Sequence, residues 1–134
     1  MRKRRSGVIG FITSSGVREP IPLLPASNIM RSSVTALAKS AATELGPAGV
    51  RVLCFAPGRI ATERVEFLDQ RRAESRGVDW EQMQAENERS IPLQRYGTPE
   101  EFARTVAFVC SPAGACLTGI SILIDGGKAQ GLLS

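Results

Sequence analysis

The stretch Gly49-Val50-Arg51-Val52-Leu53-Cys54-Phe55-Ala56-Pro57-Gly58-Arg59-Ile60-Ala61-Thr62 decides how this chain folds. Val50–Ala56 is a short apolar run that reads as a strand, and Pro57-Gly58 closes it, because proline cannot donate to a ladder and glycine favours a turn. Upstream, Met30, Val34, Leu37, Ala41 and Leu45 advance by 4, 3, 4 and 4, the stripe of a helix over Asn28–Leu45. Ser27 or Asn28 would cap that helix, and Gly46-Pro47 would end it. Gly7–Thr13 reads as a further strand, covered on both faces because Val8, Ile9, Phe11 and Ile12 do not alternate with polar residues. Ser14-Ser15-Gly16 ends it, and the proline-bearing loop Val17–Pro25 follows.

Downstream, Thr62–Tyr96 is charged and helical in pattern, with a break near Gly77, and reads as a surface excursion. Gly97-Thr98-Pro99-Glu100-Glu101 is a helix start: Thr98 caps, Pro99 takes the first position and Glu101 completes a capping box. Phe102, Val106 and Val109 form that helix's buried stripe, and Ser111-Pro112 stops it. Gly119–Asp125 is a third apolar strand, ended by Gly126-Gly127. Strands separated by helices pair in parallel through right-handed crossovers. The expected fold is α/β: one domain portion, residues 1–134, with a partial Rossmann-like parallel sheet of three strands and flanking helices. The outer strands are apolar on both faces, as if each expected a neighbour, so a larger sheet is implied.

Composition narrows the chemistry. The chain has 134 residues, 43% hydrophobic and 22% charged, near the globular average. Histidine is absent, which removes Ser-His and Cys-His nucleophile pairs and His-ligated metal, and no metal site is expected. Ser14 as a hydrolase nucleophile fails on the same ground. The net charge of +4 equals the four cations Arg2, Lys3, Arg4 and Arg5. The basicity is therefore a property of the N-terminus and not of a face; without interleaved aromatics, nucleic acid is not an expected partner. No apolar run is long enough for a bilayer, and the one after Arg5 is too short for a secretory signal. Cys54, Cys110 and Cys116 read as buried free thiols of a cytoplasmic protein.

Ligands of open parallel sheets bind beyond the carboxyl ends of the strands. Twelve residues separate Ser14 from Ser27, and Arg31 lies one helical turn further, so Ser27 and Arg31 can point together toward Ser14. With these features in place the chain resembles the C-terminal half of the short-chain dehydrogenase/reductase family, and within it the 3-oxoacyl-carrier-protein-reductase-like members. The resemblance runs over Gly7–Ser14, Ser27–Leu45, Gly49–Thr62, Ile91–Phe108 and Leu117–Gly127. Its most specific parts are Gly-Val-Arg-Val followed by Ala-Pro-Gly-x-Ile-x-Thr, and the ending Leu-Thr-Gly-Ile with Asp-Gly-Gly.

The resemblance implies hydride transfer between NAD or NADP and a small carbonyl or alcohol substrate, with a 3-oxoacyl thioester as one candidate. It implies catalytic positions at Ser14, Ser27 and Arg31, and a nicotinamide held by Pro57, Gly58, Ile60 and Thr62. The backbone at Ile60 would bond the carboxamide and the Thr62 hydroxyl would reach the phosphates. It also implies a homodimer or tetramer built on helix 28–45. Two departures stand out. Ser27 occupies the position of the family's Tyr and Arg31 that of its Lys, a version that some divergent relatives resemble. An aliphatic hydroxyl is a far weaker acid than a phenol, and a guanidinium does not pass a proton on. The Gly-x-x-x-Gly-x-Gly turn that cradles a pyrophosphate is also absent. Met1–Arg5 resembles the last turn of a preceding helix, so the chain is expected to begin inside the domain and to bind cofactor weakly by itself. The alternative is a non-catalytic remnant that associates with itself or with a complementary half.

Overall fold

The computed structural model describes residues 1–131. Three strands, β1 (Gly7–Ile12), β2 (Val50–Pro57) and β3 (Ser121–Ile124), form one parallel sheet in the order β1-β2-β3. The helices are α1 (Pro25–Leu45), α2 (Glu63–Arg76), α3 (Trp80–Arg89) and α4 (Pro99–Cys110). The register pairs Gly7 with Val50 through Ile12 with Phe55, and Cys54 with Ser121 through Pro57 with Ile124. The α/β expectation holds.

Period-two alternation along β2 makes the core two-sided. Val52 and Cys54 face α1, where they meet Ala38 and Ala42, with Ile9, Phe11, Ala41 and Leu45 around them. Leu53 and Phe55 face α4 and meet Val109, with Val8, Phe102, Val106 and Ile122 around them. Burial separates the strands sharply: most of β2 is fully buried, whereas β1 and β3 are half-buried and Ile12 is 50% exposed. The expectation that β1 is covered on both faces holds in part: Ile9 and Phe11 pack toward α1 and Val8 toward α4, but Gly10 and Ile12 are exposed and the strand as a whole is only half-buried.

Helix α1 differs from its sequence reading in two ways. It begins at Pro25, and its cap position is Leu24, with no side-chain cap bond. Ser27 therefore lies within the first turn and does not cap it. Asn28 instead clamps the preceding loop: its Oδ1 accepts from Ile21 N–H (3.2 Å) and its Nδ2 donates to Ile21 C=O (3.0 Å). The buried face is also only in part the expected stripe: Ala41 and Leu45 pack against the core as read. Ala38 and Ala42 lie on the sheet, while Met30 (64%) and Leu37 (58%) face outward. Alanines let the helix backbone settle close to β2, and Met30 and Leu37 are left on the far side.

Arg51 explains the Gly-Val-Arg-Val motif. Its guanidinium donates to five carbonyls, those of Val109, Gly114 and Leu117 through Nη1 and of Cys110 and Ser111 through Nη2, at 2.8–3.3 Å. These include carbonyls that a helix C-terminus leaves without partners. The Thr98–Glu101 capping box forms as expected. Gly77 breaks the excursion in the left-handed region (φ +65°), and Asp79 stands at the cap position of α3. Of the thiols only Cys54 is buried; Cys110 is half-buried and Cys116 exposed, which corrects the expectation for those two. No helix among the described residues is long and apolar enough to cross a membrane.

Candidate functional site

The carboxyl ends of all three strands lie on one edge of the sheet, as parallel pairing requires. At the end of β1, Thr13 N–H donates to Phe55 C=O (2.8 Å), and the chain then turns into a short 3-10 segment, Ser15–Val17. Ser14 Oγ accepts from Gly16 N–H (3.1 Å) and so caps that turn. A hydroxyl carries one donor and two acceptor positions, so the turn uses an acceptor position of Ser14 and not its O–H. Gly16 is needed here, since a Cβ would come within 2.8 Å of Asn28 Oδ1.

Arg31 Nη1 donates to Ile12 C=O (3.0 Å), which places the guanidinium at the end of β1. Ser27 is exposed. No hydrogen bond among the described residues joins Ser14, Ser27 and Arg31 to one another. The fold brings Ser14 and Arg31 to the same strand end, one as a turn cap and the other on a backbone carbonyl, and leaves Ser27 outside that bonding.

The end of β2 is built differently. Gly58 N–H donates to Ile124 C=O (2.9 Å), and a Cβ at Gly58 would sit 2.7 Å from Asp125 Cα, so only glycine permits the crossing. Beyond it, Ile60 forms a lone parallel bridge with Gly97: Gly97 N–H donates to Arg59 C=O (3.0 Å), and Ala61 N–H donates to Gly97 C=O (2.8 Å). That pairing uses the groups either side of Ile60 and turns the N–H and C=O of Ile60 itself to the opposite side. Thr62 caps α2, its Oγ1 accepting from Val65 N–H (3.4 Å) and donating to Ile60 C=O (3.4 Å).

Beneath this loop lies a polar group that the sequence reading did not single out. Asp69, on α2, is 1% exposed. Its Oδ1 pairs with Arg59, and its Oδ2 accepts from Tyr96 Oη–H at 2.6 Å. The Arg59 guanidinium also stacks over the Tyr96 ring, 5.5 Å from its centroid. Burial first, and the Asp69 carboxylate next, push the Tyr96 phenol up to about 12. Beside the cluster is a cleft of about 310 Å³ lined by Thr62, Val65, Trp80 and Tyr96 among others. Two signals were available: Arg59 is the variable position inside Pro57-Gly58-x-Ile60-x-Thr62, and Tyr96 is the single tyrosine. Asp69 had none, being one acidic residue in a charged helix.

At the end of β3, Asp125 accepts from Gly127 N–H (2.9 Å) and Ala129 N–H (2.8 Å), and Gly126 and Gly127 both take positive φ. A Cβ on Gly126 would come within 2.7 Å of buried Ile91, so Asp-Gly-Gly is a packing turn in this chain. Lys128 Nζ donates to Ser90 Oγ (3.2 Å), and burial pulls its ammonium below the usual lysine range. No group of three or more metal-ligating side chains occurs among the described residues.

Known proteins bear on this arrangement. The family model described as enoyl-(acyl carrier protein) reductase matches residues 1–129. Dehydrogenase/reductase SDR family member 4 of Sus scrofa is 33% identical over 134 residues, covering 98% of this chain and 44% of the relative. The crystal structure of L-sorbose reductase from Gluconobacter frateurii, complexed with NADPH and L-sorbose, superposes with a TM-score of 0.88 at 28% identity, over 98% of this chain and 51% of that one. A 3-ketoacyl-(acyl-carrier-protein) reductase from Brucella melitensis, complexed with NADH, gives 0.79 at 29% identity over 96% and 47%. The chain thus spans about half the length of the relatives it matches.

Proposed function

The chain belongs to the short-chain dehydrogenase/reductase family of oxidoreductases, and on that premise we propose that it supplies the substrate- and nicotinamide-facing half of an NAD- or NADP-dependent reductase acting on a carbonyl or alcohol, a 3-oxoacyl thioester among the candidates. The observation that carries this reading is the Ile60·Gly97 bridge, which leaves the amide and carbonyl of Ile60 directed away from the ladder; the carbonyl accepts from Thr62 Oγ1 and keeps a second lone pair, so both groups can meet a carboxamide. The residues fit the group: Ile60 offers a donor and an acceptor in one plane, and Thr62 sits within reach. When bound, a nicotinamide supplies or accepts the hydride. Ser14 donates its free proton to the substrate oxygen, and Arg31, one helical turn past Ser27, adds positive charge at the same strand end. Ser27 relays a proton only through water, since it is exposed and a poor acid.

The test is a titration of the chain with NADPH and NADH, followed by cofactor consumption with simple ketones and 3-oxoacyl thioesters. Without a glycine cradle in its sequence, dinucleotide affinity is expected to be weaker than about 1 mM, near −4 kcal/mol. In a polypeptide that also carries a dinucleotide cradle, Ser27→Tyr with Arg31→Lys is expected to raise carbonyl reduction by about 10²–10⁴-fold, the worth of a positioned general acid. No cofactor contact at Ile60 or Thr62 and no consumption would overturn the reading.

A non-catalytic, self-associating role is the second reading, favoured by Arg31 being engaged by Ile12 C=O. Either way the partner proposed is a second copy meeting α1, whose outward face shows Ile29, Met30 and Leu37 at 66, 64 and 58% exposure. Ala38 and Ala42, by contrast, belong to the chain's own core. Leu37→Lys is therefore the variant expected to halve the mass seen by light scattering, and a 14.4 kDa particle in the parent chain would remove the proposal.

A further inference from the structure

We infer that Asp69 is a positioning residue that aims the backbone of Ile60, tying the excursion helix α2 to the nicotinamide-facing loop; this rests on the reading of that loop given above. The argument is one of connectivity. A single buried carboxylate holds a side chain from each arm of the two-bond ladder. Arg59 lies directly before Ile60, and Tyr96 directly before Gly97. Arg59 Nη1 and Tyr96 Oη also approach each other at 3.4 Å, so the three groups close a triangle beneath the ladder.

Packing alone does not fix this loop. The buried residues of α2 are Asp69 and Ala73, its principal packing partner is α3, and residues of both helices line the 310 Å³ cleft together with Ala61, Thr62 and Tyr96. Gly97 has no side chain to contribute, and a Cβ there would come within 2.8 Å of Ile60 Cδ1. The ladder and the Gly58 crossing hold the backbone of the loop, and the carboxylate is the one side chain that ties both arms of that ladder to α2. A buried ion pair is a poor source of net stability, because desolvation offsets its attraction, but it does fix geometry and register. The direction of the Ile60 amide and the docking of the α2–α3 hairpin are then one equilibrium: a ligand that seats the hairpin tightens the grip on the carboxamide, and the reverse holds by linkage.

The experiment uses the full 134-residue chain, isotopically labelled, as wild type, Asp69→Asn and Tyr96→Phe. Amide exchange is read at Ala61 and Gly97, the two ladder donors, against Leu53 and Phe55 in β2. Nicotinamide mononucleotide, which carries the carboxamide without needing a full dinucleotide cradle, is titrated while the Ile60 amide is followed. Asp69→Asn is expected to speed exchange at Ala61 and Gly97 at least about tenfold more than in β2, and to weaken the mononucleotide by a similar factor. Tyr96→Phe keeps the Arg59 pair and is expected to shift both by a few-fold; it decides the matter if Asp69→Asn does not fold. Equal loss of protection in ladder and β2 would mark Asp69 as merely structural and overturn the proposal. So would unchanged mononucleotide affinity in a folded variant. Mononucleotide that fails to move Ile60 in the wild-type chain sinks the loop reading itself, a result distinct from either.

Discussion

The ends of β1 and β2 lie side by side on one edge of the same sheet, yet they are built by opposite rules. At β1, half-buried Ser14 caps a turn, exposed Arg31 reaches a backbone carbonyl, and exposed Ser27 lies outside that bonding. At β2, the loop from Pro57 to Thr62 is fixed by a backbone ladder, a glycine crossing and a buried ion pair. The β2 end is the more heavily tied of the two. The β1 end hangs on few bonds, and it is there that the family resemblance puts Ser27 and Arg31 in the positions of a Tyr and a Lys.

The contrast can be broken most directly by removing one charge at each end. Arg59→Met leaves the buried Asp69 carboxyl without its cation, and is expected to cost about 3–5 kcal/mol. Arg31→Met gives up one exposed hydrogen bond and is expected to cost less than about 1 kcal/mol. Urea unfolding of the two variants settles it, and equal losses would mean that the two ends are not built differently. Next in size is Gly58→Ala. Its Cβ would meet Asp125 Cα, a backbone atom, at 2.7 Å, so about 1–3 kcal/mol is expected in the same measurement. A neutral result would show that the crossing can open.

The smallest effect is in pH dependence. Glu101 is held down to about 2, first by its hydrogen bonds from Arg95 and then by the Thr98 N–H. A depressed carboxylate stabilises above its unfolded value, so that contribution fades as pH falls from about 4.5 toward about 2. Tyr96 moves the other way: its phenol is raised to about 12 in the fold, so stability tied to it fades as pH rises from about 10 toward about 12. Ser14, Ser27 and Arg31 include no carboxylate or phenol. Thermal unfolding across both windows should therefore change slope in Glu101→Gln and Tyr96→Phe and stay unchanged in Ser27→Ala.

The same contrast shows what could be read from the sequence. Strand and helix order followed from local signals: apolar runs, Pro-Gly closures, and the Thr98-x-x-Glu101 box, which forms as read. The face of α1 followed only in part: Ala41 and Leu45 pack as read, but hydrophobicity ranks Met30 and Leu37 above Ala38 and Ala42, whereas the sheet selects for size. Nor did Ser27 act as a cap, since Pro25, preset for a first helical turn, starts the helix earlier. At the site, Ser14 and Arg31 were legible from spacing alone, and both reach the expected strand end. Asp69 was not, because a buried acid looks like any other until two distant partners, Arg59 and Tyr96, are folded around it.

Arg51 has a kinetic consequence. Its five acceptors lie 58 to 66 residues downstream, so the guanidinium finds them only after α4 and the following turn have come back beside β2. Contacts of such long sequence separation close a large loop of chain and tend to form late in folding. A bond set absent from the transition state resists unfolding without hastening folding. Arg51 therefore acts as a latch: it contributes little to how fast the β2–α4–β3 unit assembles, and much to how long it stays assembled.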